Sequence, residues 1–199
     1  MTTLAYAAIP AARGSARVAW RVALVVAGSL LVAALARLEV HLPFTPVPIT
    51  GQTLGVLLVG AALGPGPGAA AMGLYLLEGA AGLPFFAGGE AGWSLLRAGS
   101  ATGGYLWGFL LAAALVGWLA RRGWDRSFRT AIGAMLLGEV AIYAVGVPWL
   151  ANALGVGPGR ALTLGLYPFV VGDVLKMLAA GALLPVAWRL VGEPGPRSR

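Results

Sequence analysis

The chain has 199 residues, of which 59% are hydrophobic and only 11% charged, and its mean hydropathy is +0.84. A soluble domain carries charge on about a quarter of its residues, so this surface is built to face lipid, and the length suits one compact domain. The absence of cysteine excludes disulfides, thiolate nucleophiles and cysteine-based metal sites.

In chain order, residues 1–17 read as an amino-terminal cytoplasmic segment, 18–191 as a membrane domain and 192–199 as a disordered cytoplasmic tail. Six apolar segments fall within the domain, at 18–36, 49–63, 69–81, 103–120, 130–147 and 168–191. They predict an all-α integral membrane protein, a compact bundle of six transmembrane helices. The second and third are shorter than the roughly 20 residues that a perpendicular span needs. Gly64-Pro65-Gly66-Pro67-Gly68 separates them as a tight hairpin. The many glycines favour close helix packing.

Residues 22–33 followed by Ala34-Leu35-Ala36 also have the form of a signal peptide with its cleavage site. The length of residues 1–17 and Arg37 immediately after the site favour a retained first span. The basic excess, 14 Lys and Arg against 7 Asp and Glu, would suit a nucleic-acid binder, but its placement gives a different meaning. Arg13, Arg17, Arg21, Arg121, Arg122, Arg126, Arg129, Arg189, Arg197 and Arg199 fall on one side of six alternating spans, and Arg37, Arg97 and Arg160 on the other. By the positive-inside rule both termini are cytoplasmic, and no nucleic-acid partner is expected.

The last segment holds Asp173 and Lys176, the only lysine of the chain. At i and i+3 they share a helix face, about 4.5 Å apart along the axis. Ionisable groups inside a span are costly unless paired or used, so the pair is either a structural lock or part of a ligand site. On the side of Arg37, Leu42-Pro43-Phe44, Leu83-Pro84-Phe85, Val147-Pro148-Trp149 and Tyr167-Pro168-Phe169 each put a proline beside an aromatic. These read either as helix stops in an aromatic belt or as loops folding inward over a ligand. No Gly-x-Ser-x-Gly is present, and no phosphate-binding loop surrounds the single lysine. His41 has no second histidine for metal binding. The chain is therefore not expected to be an enzyme, with an intramembrane acid–base enzyme using Asp173, Glu78 and Glu139 as the remote alternative. Ala19, Ala23 and Ala27 form a smooth stripe, suited to docking a partner or to packing within the bundle.

Five stretches in order, residues 44–53 (FTPVPITGQT), 79–89 (GAAGLPFFAGG), 102–109 (TGGYLWGF), 143–151 (YAVGVPWLA) and 172–176 (GDVLK), resemble the successive signatures of the BioY family. BioY proteins are the biotin-binding S components of energy-coupling-factor (ECF) transporters, and the resemblance runs from about residue 18 to 191. It implies a vitamin-capture subunit in the cell membrane, working with a transmembrane coupling subunit (T component) and two ATP-binding subunits, with biotin as ligand and no cofactor. It places Asp173 and Lys176 in the pocket. Asp173 is then expected to accept from the ureido N–H groups, and Lys176, helped by Arg97, to engage the carboxylate or a ureido oxygen. Gln52, Thr53 and Tyr143 are supporting polar candidates, Gly103 and Gly104 permit close ligand approach, and Phe85 supplies an apolar wall. The stripe Ala19, Ala23 and Ala27 is the expected docking element for the T component. A self-sufficient, proton-coupled carrier is the alternative, and Glu78 and Glu139 depart from the mostly neutral surroundings expected of such a site.

Overall fold

In the computed structural model, residues 3–8 and 14–192 are described; Arg13, Arg197, Arg199 and the tail 193–199 lie outside them. The helices are α1 Leu4–Ala8, α2 Ser15–Leu35, α3 Gln52–Leu63, α4 Pro65–Ala80, α5 Gly103–Arg121, α6 Phe128–Leu154, α7 Pro158–Gly165 and α8 Val170–Val191. Between α2 and α3 two short strands, β1 Glu39–Val40 and β2 Ile49–Thr50, pair antiparallel, Glu39 opposite Thr50 and Val40 opposite Ile49. The all-α expectation holds, apart from this small ladder.

Helices α2, α5, α6 and α8 are long and apolar enough to cross a membrane. Helices α3 and α4, with 12 and 16 residues, form a hairpin whose turn is tighter than the sequence suggests. The helix α4 begins at Pro65, not at residue 69, because a first helical turn has no use for the N–H groups that Pro65 and Pro67 lack. Gly64, at φ 84°, makes the reversal alone.

Helix α6 departs further from expectation. Pro148 reads as a stop, yet the helix continues through it to Leu154 and ends at Gly155, whose φ of 64° supplies the left-handed cap. The proline removes one N–H from the ladder, and the residues beyond it stay helical because Leu150 is fully buried and Trp149 Nε1 donates to the Ser100 carbonyl at 3.0 Å.

The core lies where α3, α4, α5 and α6 meet, around Val56, Leu57, Met72, Val116, Met135 and Ile142, all 1% exposed or less. A Cβ on Gly60 would sit 2.7 Å from the Ala113 carbonyl oxygen, so α3 and α5 touch through their backbones, as small residues allow in membranes. Helix α2 lies outermost. Gly28, Ser29, Val32 and Ala33 near its end are buried, whereas Ala19, Ala23 and Ala27 are exposed. Of the two uses open to that stripe, internal packing is therefore removed.

At the arginine-rich end, Arg122 stacks 3.5 Å from the Trp118 ring centroid and Arg126 4.4 Å from that of Trp188. Asp125, in the α5–α6 loop, is buried and accepts from Trp188 Nε1 at 2.6 Å. This bond ties the loop to the end of α8. Burial pushes the Asp125 carboxyl above the usual carboxylate range, against the lowering effects of the Trp188 bond, its own backbone N–H and the Arg126 charge.

Candidate functional site

The opposite, loop-rich end encloses a cavity of about 350 Å³. Its floor is polar because three helices bring side chains to one level. Asp173 comes from the first turn of α8, where a carboxylate suits the helix dipole, and Lys176 follows on the same face. Thr53 stands at the start of α3 and Tyr143 midway along α6. Lys176 Nζ lies 3.0 Å from Asp173 Oδ1 and donates to Thr53 Oγ1 at 2.9 Å, while the Tyr143 hydroxyl donates to Asp173 Oδ2. Asp173 is 4% exposed. Taking such a pair out of water costs several kcal/mol per ion unless further polar partners complete it, and here Thr53 and Tyr143 do so in part. An ammonium has three donors and a carboxylate about four acceptor positions, so both ions keep capacity for a ligand.

The side walls are mainly apolar and aromatic: Phe86, Leu95, Leu106, Phe109, Ile142 and Phe169 all line the cavity. Tyr105 packs edge-on against Tyr143, ring centroids 6.2 Å apart, and donates to the Gly165 carbonyl at 2.8 Å. Gln52 is tied into the wall as well, accepting from Thr50 at 2.9 Å and donating to the Tyr75 hydroxyl, which itself donates to the Phe85 carbonyl at 3.0 Å. The loops fold inward over the space: Thr45 Oγ1 donates to the Leu164 carbonyl at 2.6 Å, joining the α2–α3 connection to α7. Glu39, His41 and Glu90 stand among the lining residues contributed by these loops, with His41 Nδ1 3.8 Å from Glu39 Oε1.

Of the residues singled out in the sequence, the cavity lining brings together Asp173, Lys176, Gln52, Thr53 and Tyr143. It does not include four others. Arg97 is exposed, at the end of a short 3-10 turn from Trp93 to Leu96. Gly103 and Gly104 are buried beside Trp149, where a Cβ on Gly104 would collide with the Trp149 side chain and one on Gly103 with the Leu95 carbonyl oxygen. Phe85 packs against the core from outside the lining, and its neighbour Phe86, 2% exposed, forms the wall instead. Sequence reasoning passed over Tyr75, Tyr105, Phe86, Phe109 and Glu39. A hydroxyl inside an apolar helix, as at Tyr75 and Tyr105, needs a partner when buried, and that was the available signal for two of them. Neither Glu139, buried one turn from Tyr143, nor Glu78, on α4, belongs to the lining.

A lipid-facing helical bundle with a closed-bottomed pocket, apolar walls and a few convergent polar groups has the form of a membrane protein that takes a small molecule from one side. Residues 7–193 match the family described as the BioY family, and the chain belongs to it. Relatives include the biotin transporter BioY of Rhizobium etli, 37% identical over 151 residues (72% of this chain, 79% of that one). That of Thermotoga maritima is 36% identical over 144 residues, covering 72% and 82% of the two chains. Among solved structures, the S-component for biotin from an ECF-type ABC transporter aligns with a TM-score of 0.78 and 25% identity, over 92% of this chain and 97% of its own. The family is one of transporters, not of enzymes.

Proposed function

We propose that this chain is the biotin-binding S component of an ATP-driven ECF importer, crossing the cell membrane six times with both termini in the cytoplasm. The observation that carries the reading is the polar floor, Asp173, Lys176, Thr53 and Tyr143 at the base of an otherwise apolar cavity, in a chain of this family. Biotin combines an apolar ring and chain with two N–H donors, a carbonyl and a carboxylate. Asp173 accepts from the ureido N–H groups, and Lys176 meets the ureido oxygen or the carboxylate, while Phe86, Phe109 and Phe169 cover the apolar part. No cofactor takes part.

The partners are a T component and two ATP-binding subunits, and the T component docks on the exposed stripe of Ala19, Ala23 and Ala27. Calorimetric titration of the purified protein with biotin, thiamin and riboflavin tests the ligand: biotin alone should bind. Uptake into sealed vesicles by this chain without its partners tests the energy source. Accumulation that needs no ATP-binding subunit would replace the importer by a self-sufficient carrier.

A further inference from the structure

Glu139 is a buried ionisable group beside the pocket that this binding scheme leaves unused. It lies on α6 four residues before Tyr143, one turn or about 6 Å nearer the arginine-rich end. It is 3% exposed, and neither of its carboxylate oxygens has a well-formed hydrogen bond. Asp173 and Lys176 act on it electrostatically from α8, and Thr53, which does not titrate, stands beside it on α3. Tyr143 on its own helix and Tyr105 on α5 complete the titratable groups of that region, and Arg160 of α7 is exposed.

The charge balance of this space is unequal. Lys176 is the only lysine of the chain, and its hydrogen bonds go to Asp173 and Thr53. An ionised Glu139 would therefore be a buried charge whose nearest donor is the Thr53 hydroxyl alone, a costly state that a proton relieves. An anionic ligand entering above Lys176 adds another negative charge to the same low-dielectric space, and a proton on Glu139 offsets that charge too. Resting on the reading of the pocket as a biotin site, we propose that Glu139 is a proton-binding site linked to ligand binding. The anion and a proton from solvent bind together, the proton on a carboxylate oxygen of Glu139. Linkage gives the sign: where Glu139 is ionised in the free protein, binding takes up a proton, and affinity falls as pH rises.

The test is calorimetric titration of the purified full chain with biotin from mildly acidic to alkaline pH, in paired buffers of different ionisation enthalpy. The unaltered protein should lose about tenfold in affinity at the alkaline end, within the usual span of coupling between two sites. It should also show proton uptake as a buffer-dependent heat. Glu139→Gln, which keeps the shape and removes the titration, should bind biotin with a flat profile and no uptake. A slope that survives in Glu139→Gln would assign the proton elsewhere and overturn the proposal. So would an unaltered protein that takes up no proton at any pH, a result that does not depend on the variant folding. Absence of biotin binding throughout would instead overturn the reading of the pocket itself, and the linkage with it.

Discussion

Asp173 and Lys176 stabilise one another inside the bundle while keeping hydrogen-bonding capacity for a ligand, so replacing either strands a buried partner and, on the proposed reading, removes a ligand contact. Truncating one member of such a pair costs about 3–5 kcal/mol. Lys176→Ala and Asp173→Asn should each weaken biotin binding by more than tenfold, measured by titration calorimetry. Tyr143→Phe loses one hydrogen bond to Asp173, about 1 kcal/mol, and should cost only about fivefold in the same measurement. The charged pair was legible in the sequence because ions within an apolar run need a reason to be there. The walls were less so. Phe85 and Phe86 are adjacent and chemically identical, and which ring faces the cavity is decided by the loop from Phe86 to Glu90, where the Phe86 N–H donates to the Glu90 carbonyl and Gly88 and Gly89 adopt positive φ. Arg97 has the right charge, but the chain turns at Trp93–Leu96 in a way no local pattern announces.

Individual helices divide between those that hold the pocket and those that face outward. Helix α2 is the outward one, and its alanine stripe offers a flat face that tryptophan would destroy. Ala23→Trp should abolish ATP-driven biotin uptake in vesicles containing the whole transporter and leave biotin affinity in the isolated chain unchanged. Helix α8 is held at both ends, by the pocket at one and by the Asp125–Trp188 bond at the other. The raised Asp125 carboxyl means that folding favours its protonated form. Its stabilising contribution is full below the ordinary aspartate value and is lost as pH rises through the shifted one. Asp125→Asn, which can still accept from Trp188, should flatten the decline in melting temperature over that window by about 2–4 °C. The six apolar helices were legible from hydropathy to within a turn, except where proline misled, whereas α1, α7 and the β1–β2 ladder were not read from the sequence. Pro65 and Pro148 read as breaks, and only the surrounding packing shows that one opens a helix and the other is tolerated within it.

On the scale of the whole molecule, most of the arginines gather at one end and the cavity opens at the other, which is the polarity a capture protein needs. The cysteine-free sequence makes this directly testable. Thr163→Cys, on α7 at the loop-rich end, should react with a membrane-impermeant maleimide in intact cells, whereas Arg129→Cys should react only after permeabilisation. The polar floor of the cavity sits at the first residues of α3, and the 12 residues of that helix, about 18 Å at 1.5 Å per residue, continue beneath it through a close-packed core. On the proposed reading, a vitamin resting on Lys176 has the close-packed core around Val56, Leu57 and Val116 below it. On that reading, delivery to the cytoplasm has to reposition this packed core relative to the bilayer, or part its helices, and the proposed ATP-binding subunits supply the work for either. A vessel with such a base can be filled by affinity alone but has to be emptied by force.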